Sequence, residues 1–300
     1  MQHTEAENPN AEIPNRKWVL PSWLKLLIKI VVTGLCLWYV TQKIDWGLTW
    51  RLLGQSNKWW LMAALLLVAA SKIVSAFRLN IYFKNITISL AAKSSLKLYW
   101  LGMFYNIFLP GGIGGDAYKV MLLKKRYKDV PTKKIAAAVL LDRISGVVAL
   151  ALLAVVFYWL IYRGSNYSWW LVTAIVPGFF VYYFGTKKMF PSFLPGFYTT
   201  FFMGLAVQLL QILCVLCIMQ SIGISGYFTE FQLLFLLSSI VAILPFTIGG
   251  LGAREVVFLW GATRFALDAH QAVYISILFY LLHLLVSLVG LRWVYKNPLG

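Results

Sequence analysis

Long apolar stretches separated by short basic loops dominate the chain. Apolar runs occupy 24–40, 59–83, 135–161, 169–184, 197–219 and 271–294. Each approaches the roughly 20 residues that a helix needs to cross a hydrocarbon layer of about 30 Å. Four shorter arms, at 96–109, 116–127, 231–244 and 253–265, fall between them in two pairs. These arms are too short to cross singly, and each pair is interrupted by proline and glycine, which end helices. The pattern predicts an all-α polytopic membrane protein with about six spanning helices plus two re-entrant helical hairpins, at about 95–127 and 231–265.

The two interruptions share one skeleton. Residues 109–119 read LPGGIGGDAYK and residues 244–254 read LPFTIGGLGAR. Both contain L-P-x-x-I-G-G, and both close on a cation, Lys119 or Arg254. Two copies in one chain suggest duplication. With three crossings in each half, the second half inserts upside down, giving an inverted repeat. The expected organisation is a polar tail over 1–22, repeat 1 over 23–163 and repeat 2 over 164–296.

Composition supports the membrane class, with 60% hydrophobic and 12% charged residues. A net charge of +17 would suit nucleic acid, but the cations sit in loops between apolar runs, and that class is set aside. Their distribution instead fixes an orientation. With the amino end inside, the cytoplasmic side receives Arg16, Lys17, Lys25 and Lys29, the dense group from Arg78 to Lys134, then Lys187, Lys188, Arg292 and Lys296. The outside receives only Lys43, Arg51, Lys58, Arg163 and Arg264. This bias predicts a multi-pass protein of the cell (inner) membrane with both termini cytoplasmic, its basic loops facing anionic lipid head groups. Three cysteines, Cys36, Cys214 and Cys217, all lie in apolar runs, so neither a disulfide framework nor a metal site is expected.

Candidate chemistry gathers at the breaks. Irregular backbone at membrane depth is tolerated where it lines a cavity, which makes Pro110, Gly111, Gly112, Gly114 and Gly115, with Pro245, Gly249 and Gly250, candidate cavity residues. Helices restarting after the glycines aim free N–H groups at that cavity, a setting suited to phosphate or carboxylate. Asn106 precedes the first tip and is a candidate cavity ligand. Asp116 reads first as a helix N-cap. Arg254 is placed to hold an anionic head group, with Glu255 balancing it when the cavity is empty.

Charges inside spans cost about 2.5–3.5 kcal/mol each at a helix centre, so each implies a partner or a purpose. Lys72 lies about 20 Å into a helix entering from outside, and Asp142 about 10 Å into one entering from inside. Those depths coincide, so Lys72 is expected to pair with Asp142, with Arg78 or Arg143 as competing partner. Asp142 and Glu255 are the candidate proton carriers. His283, Gln208 and Gln211 lie mid-span, where interhelical hydrogen bonding is the ordinary role. No H-E-x-x-H, G-x-S-x-G or G-K-[ST] motif occurs, so no catalytic set, nucleotide site or cofactor is expected.

At three ordered places the chain resembles the membrane-domain, flippase-like family of lysylphosphatidylglycerol synthase. The matching elements are N-x-x-L-P-G-G-x-G-G-D from Asn106 to Asp116, L-L-D-R from Leu140 to Arg143, and L-P-x-x-I-G-G-L-G-A-R-E from Leu244 to Glu255. The resemblance implies a lipid-translocating or lipid-binding membrane domain with Asp142, Arg143, Arg254 and Glu255 on motif positions. A stand-alone member without the soluble aminoacyl-transferase domain is expected. The expected function is an integral membrane lipid transporter that binds an anionic phospholipid or lipid-linked sugar in a mid-membrane cavity. The alternative is a non-transporting subunit that presents lipid to a partner glycosyltransferase or synthase in the membrane. A membrane-embedded transferase would need its acid or base from Asp116, Asp142 or Glu255.

Overall fold

The structure, a computed structural model, describes residues 22–42, 45–108, 114–243, 247, 250–296 and 298–299. The chain folds as a bundle of α-helices, and no strand occurs among the described residues. In order these are α1 (Ser22–Thr41), α2 (Trp46–Gln55), α3 (Lys58–Lys84), α4 (Ala92–Phe108), α5 (Gly114–Arg126), α6 (Thr132–Tyr162), α7 (Asn166–Thr173), α8 (Ile175–Met189), α9 (Phe197–Ser221), α10 (Phe228–Ile243), α11 (Ala253–Phe265) and α12 (Ala269–Leu288). Short 3-10 turns precede α9, at Pro191–Gly196, and follow α12, at Val289–Trp293.

Five stretches are long and apolar enough to cross a membrane: Lys58–Lys84, Thr132–Tyr162, Trp169–Met189, Pro191–Ser221 and Ala269–Trp293. They match five of the six expected spans. The remaining one is the 20-residue α1, which exposes Leu27, Ile30, Val31 and Leu35 and anchors its end by burying Val40 against Leu259 of α11 and Val273 of α12. Helix is the conformation that satisfies every backbone group within its own segment, and the outward faces of these helices are correspondingly apolar. Ends are tied by side chains: Asn57 accepts from the Trp59 amide at 2.9 Å to start α3, and Asp268 accepts from Gln271 at 2.8 Å to start α12.

The frame is set by α3 and α9, which run antiparallel along their length. At one end the Asn57 amide donates to the Ser221 carbonyl at 2.8 Å; at the other, Gly196 fits against Ile81 and Asn85. Between them Gly204 lies beside Arg78, where an added Cβ would be 3.3 Å from Nη1 and 3.2 Å from the Ser145 carbonyl of α6. The absent side chain leaves room for a guanidinium among three helices.

The shorter arms form two helical hairpins. α4 and α5 have 17 and 13 residues, and α10 and α11 have 16 and 13. Gly115 lies so close to α4 that a Cβ would overlap the Gly102 carbonyl, and Tyr105 meets Tyr118 at 4.7 Å between ring centroids. In the second hairpin Gly261 sits directly under Leu234, and Gly250 and Gly252 both adopt φ near +83°, a left-handed turn that favours glycine. The tip residues Pro110, Gly111, Gly112, Pro245 and Gly249 lie outside the described residues.

The two ends of the bundle differ. One buries Phe83, Ile88, Leu98, Leu123, Ile135 and Phe193 in a single cluster, which gathers the ends of α3 and α5 with the starts of α4, α6 and α9. Lys84, Lys124, Lys125, Arg126, Lys133 and Lys134 therefore share that end. The opposite end, where Ser56 hydrogen-bonds Tyr274 at 2.6 Å, carries the exposed Trp59 and Trp60 at the start of α3.

Candidate functional site

A cavity of about 310 Å³ lies in the middle of the bundle, lined from α3, α4, α5, α6, α9, α10, α11 and α12. Its walls hold the cations Lys72, Arg78, Lys119, Arg143 and Arg254 and the carboxylates Asp116 and Asp142. Tyr99, Asn106, Gln208, Gln211, Ser239 and His283 complete the polar lining, while Met103, Val147, Leu150, Ile243 and Phe279 are apolar. Both hairpins contribute. Lys119 and Arg254, which hold matched positions in the two LPxxIGG copies, face the same space.

The charges fall into two paired groups and two cations outside them. Arg78 donates from Nε to Asp142 at 2.7 Å and from Nη2 to the Asp142 carbonyl at 3.0 Å. Its Nη1 has no partner among the described residues, although the residue is only 4% exposed. The expected pairing of Asp142 with Lys72 is thus replaced by one with Arg78. Depth selected the right layer, but residues six apart lie about 120° apart around a helix, so α3 turns only one of its cations toward Asp142. The planar guanidinium also reaches side chain and backbone together, as an ammonium does not.

The second group centres on Asp116. Its carboxylate accepts from Lys119 at 2.9 Å, from Asn106 at 3.3 Å and from Arg143 of α6. Asp116 is therefore the hub of an ion cluster rather than the cap of α5. The capping role passes to Asn106 on α4, whose Oδ1 accepts from the Gly115 amide at 2.9 Å. Lys119 reaches the hub by lying over Gly102, where a side chain would overlap it, and stands 4.9 Å from the Tyr99 ring centroid.

Lys72 makes no ion pair or hydrogen bond among the described residues. Arg254 makes no ion pair among them either; its Nη1 donates to Ser239 at 3.0 Å, and its guanidinium lies 5.3 Å from the Phe279 ring centroid. Glu255 forms no ion pair with it, although its charge acts on the Arg254 guanidinium. That carboxylate, 1% exposed, accepts from the Gly252 amide at 2.7 Å and from Ser276 at 2.8 Å, so it fixes the start of α11 to α12. Its bonds leave it outside the cavity lining. Of the remaining candidates, Gly114 starts α5 and Gly250 packs on Ala242, both beside the cavity rather than among its lining.

Of the mid-span polar residues, Gln208 donates to the Gly146 carbonyl across to α6 at 3.5 Å and leaves its buried Oε1 without a partner among the described residues. His283 hydrogen-bonds within its own helix, through Nδ1 to the Phe279 carbonyl at 3.0 Å, rather than between helices. Sequence reasoning passed over Lys119 as a cavity residue, although its register with Arg254 was a usable signal. Tyr99, Ser239 and Phe279 carried none. Cys214 and Cys217 pack in the apolar core.

A multi-pass helical membrane protein whose bundle encloses a cation-rich cavity is the class that fold and site define. The chain belongs to the family described as lysylphosphatidylglycerol synthase TM region, whose model matches residues 26–187 and 192–290. It is also similar to a UPF0104 membrane protein from Pyrococcus horikoshii, 26% identical over 130 residues, which cover 43% of this chain and 38% of that protein.

Proposed function

We propose that this protein binds the anionic head group of a lipid in the mid-bundle cavity and carries it between leaflets. The carrying observation is the imbalance in the cavity wall, five cations against two carboxylates. Unbalanced charge at membrane depth is costly, and a visiting anion offsets it. The apolar outer faces leave acyl chains in hydrocarbon while the head group occupies the polar interior.

In this reading the hairpins re-enter the membrane from opposite sides as corresponding parts of inverted repeats, 23–163 and 164–296. Arm lengths of 13 to 17 residues, short of a crossing, and the meeting of Lys119 with Arg254 on one cavity support it. The gathering of lysines and arginines at one end supports a cytoplasmic location for that end and for both termini. The family's name does not supply the substrate. A lysylated head group brings its own ammonium charges, which this cavity would repel.

Proteoliposomes carrying a fluorescent anionic phospholipid test the proposal. Faster leaflet exchange than in protein-free vesicles, lost in Arg254→Ala, is the expected result. Unchanged exchange across several lipid classes would sink transport and favour a subunit that presents lipid to a membrane glycosyltransferase or synthase.

A further inference from the structure

Resting on that reading, we infer that the group held in the cavity carries at least two negative charges, as a terminal phosphomonoester or diphosphate does, rather than the single charge of a phosphodiester. The paired groups do not exhaust the positive charge. Arg78 is matched by Asp142, but Lys119 and Arg143 share the one carboxylate of Asp116, and Lys72 and Arg254 have no carboxylate partner among the described residues. The lining carries a formal surplus of three, five cations less two carboxylates, and the surplus is still two when the neighbouring Glu255, whose charge acts on Arg254, is included. A phosphodiester would neutralise one of these charges; a phosphomonoester brings about −1.5 to −2 at pH 7, with three terminal oxygens.

Donor geometry agrees with the charge count. Lys72 and Arg254 both line this cavity, and the Lys72 ammonium with the Arg254 N–H groups not given to Ser239 makes more donors than two non-bridging oxygens absorb. About 310 Å³ is at the small end of ligand pockets, enough for a compact head group with its tail outside.

Competition binding to the full-length purified protein in neutral micelles tests this. The probes are phosphatidic acid, a long-chain isoprenyl diphosphate, phosphatidylglycerol and inorganic pyrophosphate. The first two are expected to bind about tenfold or more tightly than phosphatidylglycerol. Lys72→Gln and Arg254→Gln should each reduce that preference. The wild-type ratio stands as a test even if a variant fails to fold. Weak competition by pyrophosphate assigns a lipid source, and competition as strong as the lipid phosphates assigns a soluble one. Phosphatidylglycerol binding as tightly as phosphatidic acid overturns the inference and leaves an anionic-lipid cavity standing. Binding of none of the three lipids overturns the underlying reading itself.

Discussion

At the scale of single residues, Arg78 and Lys72 share α3 and the cavity but differ in what their removal should do. Arg78 holds Asp142 through two bonds, so Arg78→Met strands a buried carboxylate, at a cost of about 3–5 kcal/mol. Lys72 has no such partner among the described residues, so Lys72→Met removes a charge that the empty protein has to carry. Thermal melting in detergent should therefore fall sharply for the first variant and hold or rise for the second. A loss of stability with Lys72→Met would mean that Lys72 is paired. The sequence placed Lys72 and Asp142 at one depth, because helix rise is uniform, but the face each presents depends on how α3 and α6 are rotated when packed. Asp116 shows the same limit: its place in the first turn of α5 read as a cap, whereas Asn106, nine residues before the Gly115 it caps, is delivered only by the fold-back of α4.

At the scale of elements, the hairpins were legible because proline and paired glycine stop helices and because arm length is bounded by membrane thickness. How closely the arms approach was not, since that is a matter of facing backbones. α4 and α5 meet where Gly102 faces Gly115, and a methyl group on the latter would overlap the Gly102 carbonyl. Gly115→Ala should lower stability by about 1–3 kcal/mol through overpacking. It should also weaken lipid binding, because Asn106 and Asp116 are held by that contact. A melting temperature within a degree of wild type would show that the hairpin accommodates the methyl and that the approach is not required. Glu255 belongs to the same scale: it lies beside Arg254 in sequence, yet the start of α11 turns it into α12, where Ser276 is waiting.

At the scale of the molecule, two linear signals survived folding. Basic residues spread over several loops come together at one end of the bundle, and the two motif cations separated by half the chain, Lys119 and Arg254, meet at one cavity. The first was legible because alternate loops of a helical bundle return to the same end, and the second because the two copies of the motif keep one register. The polar lining from α9 and α12 was not, as a mid-span glutamine or histidine looks alike whether it faces a cavity or a neighbouring helix. In the proposed reading an anionic head group occupies this cavity. A photo-reactive residue at Val147, on the cavity wall, in proteoliposomes of phosphatidylcholine with minor phosphatidic acid and phosphatidylglycerol, tests it most directly. Adducts analysed by mass spectrometry should be enriched in anionic lipid over the bulk ratio, be lost with Arg254→Gln, and be absent at the fully buried Val215. Adducts at Val147 that mirror bulk lipid, or that persist unchanged in Arg254→Gln, would contradict the account.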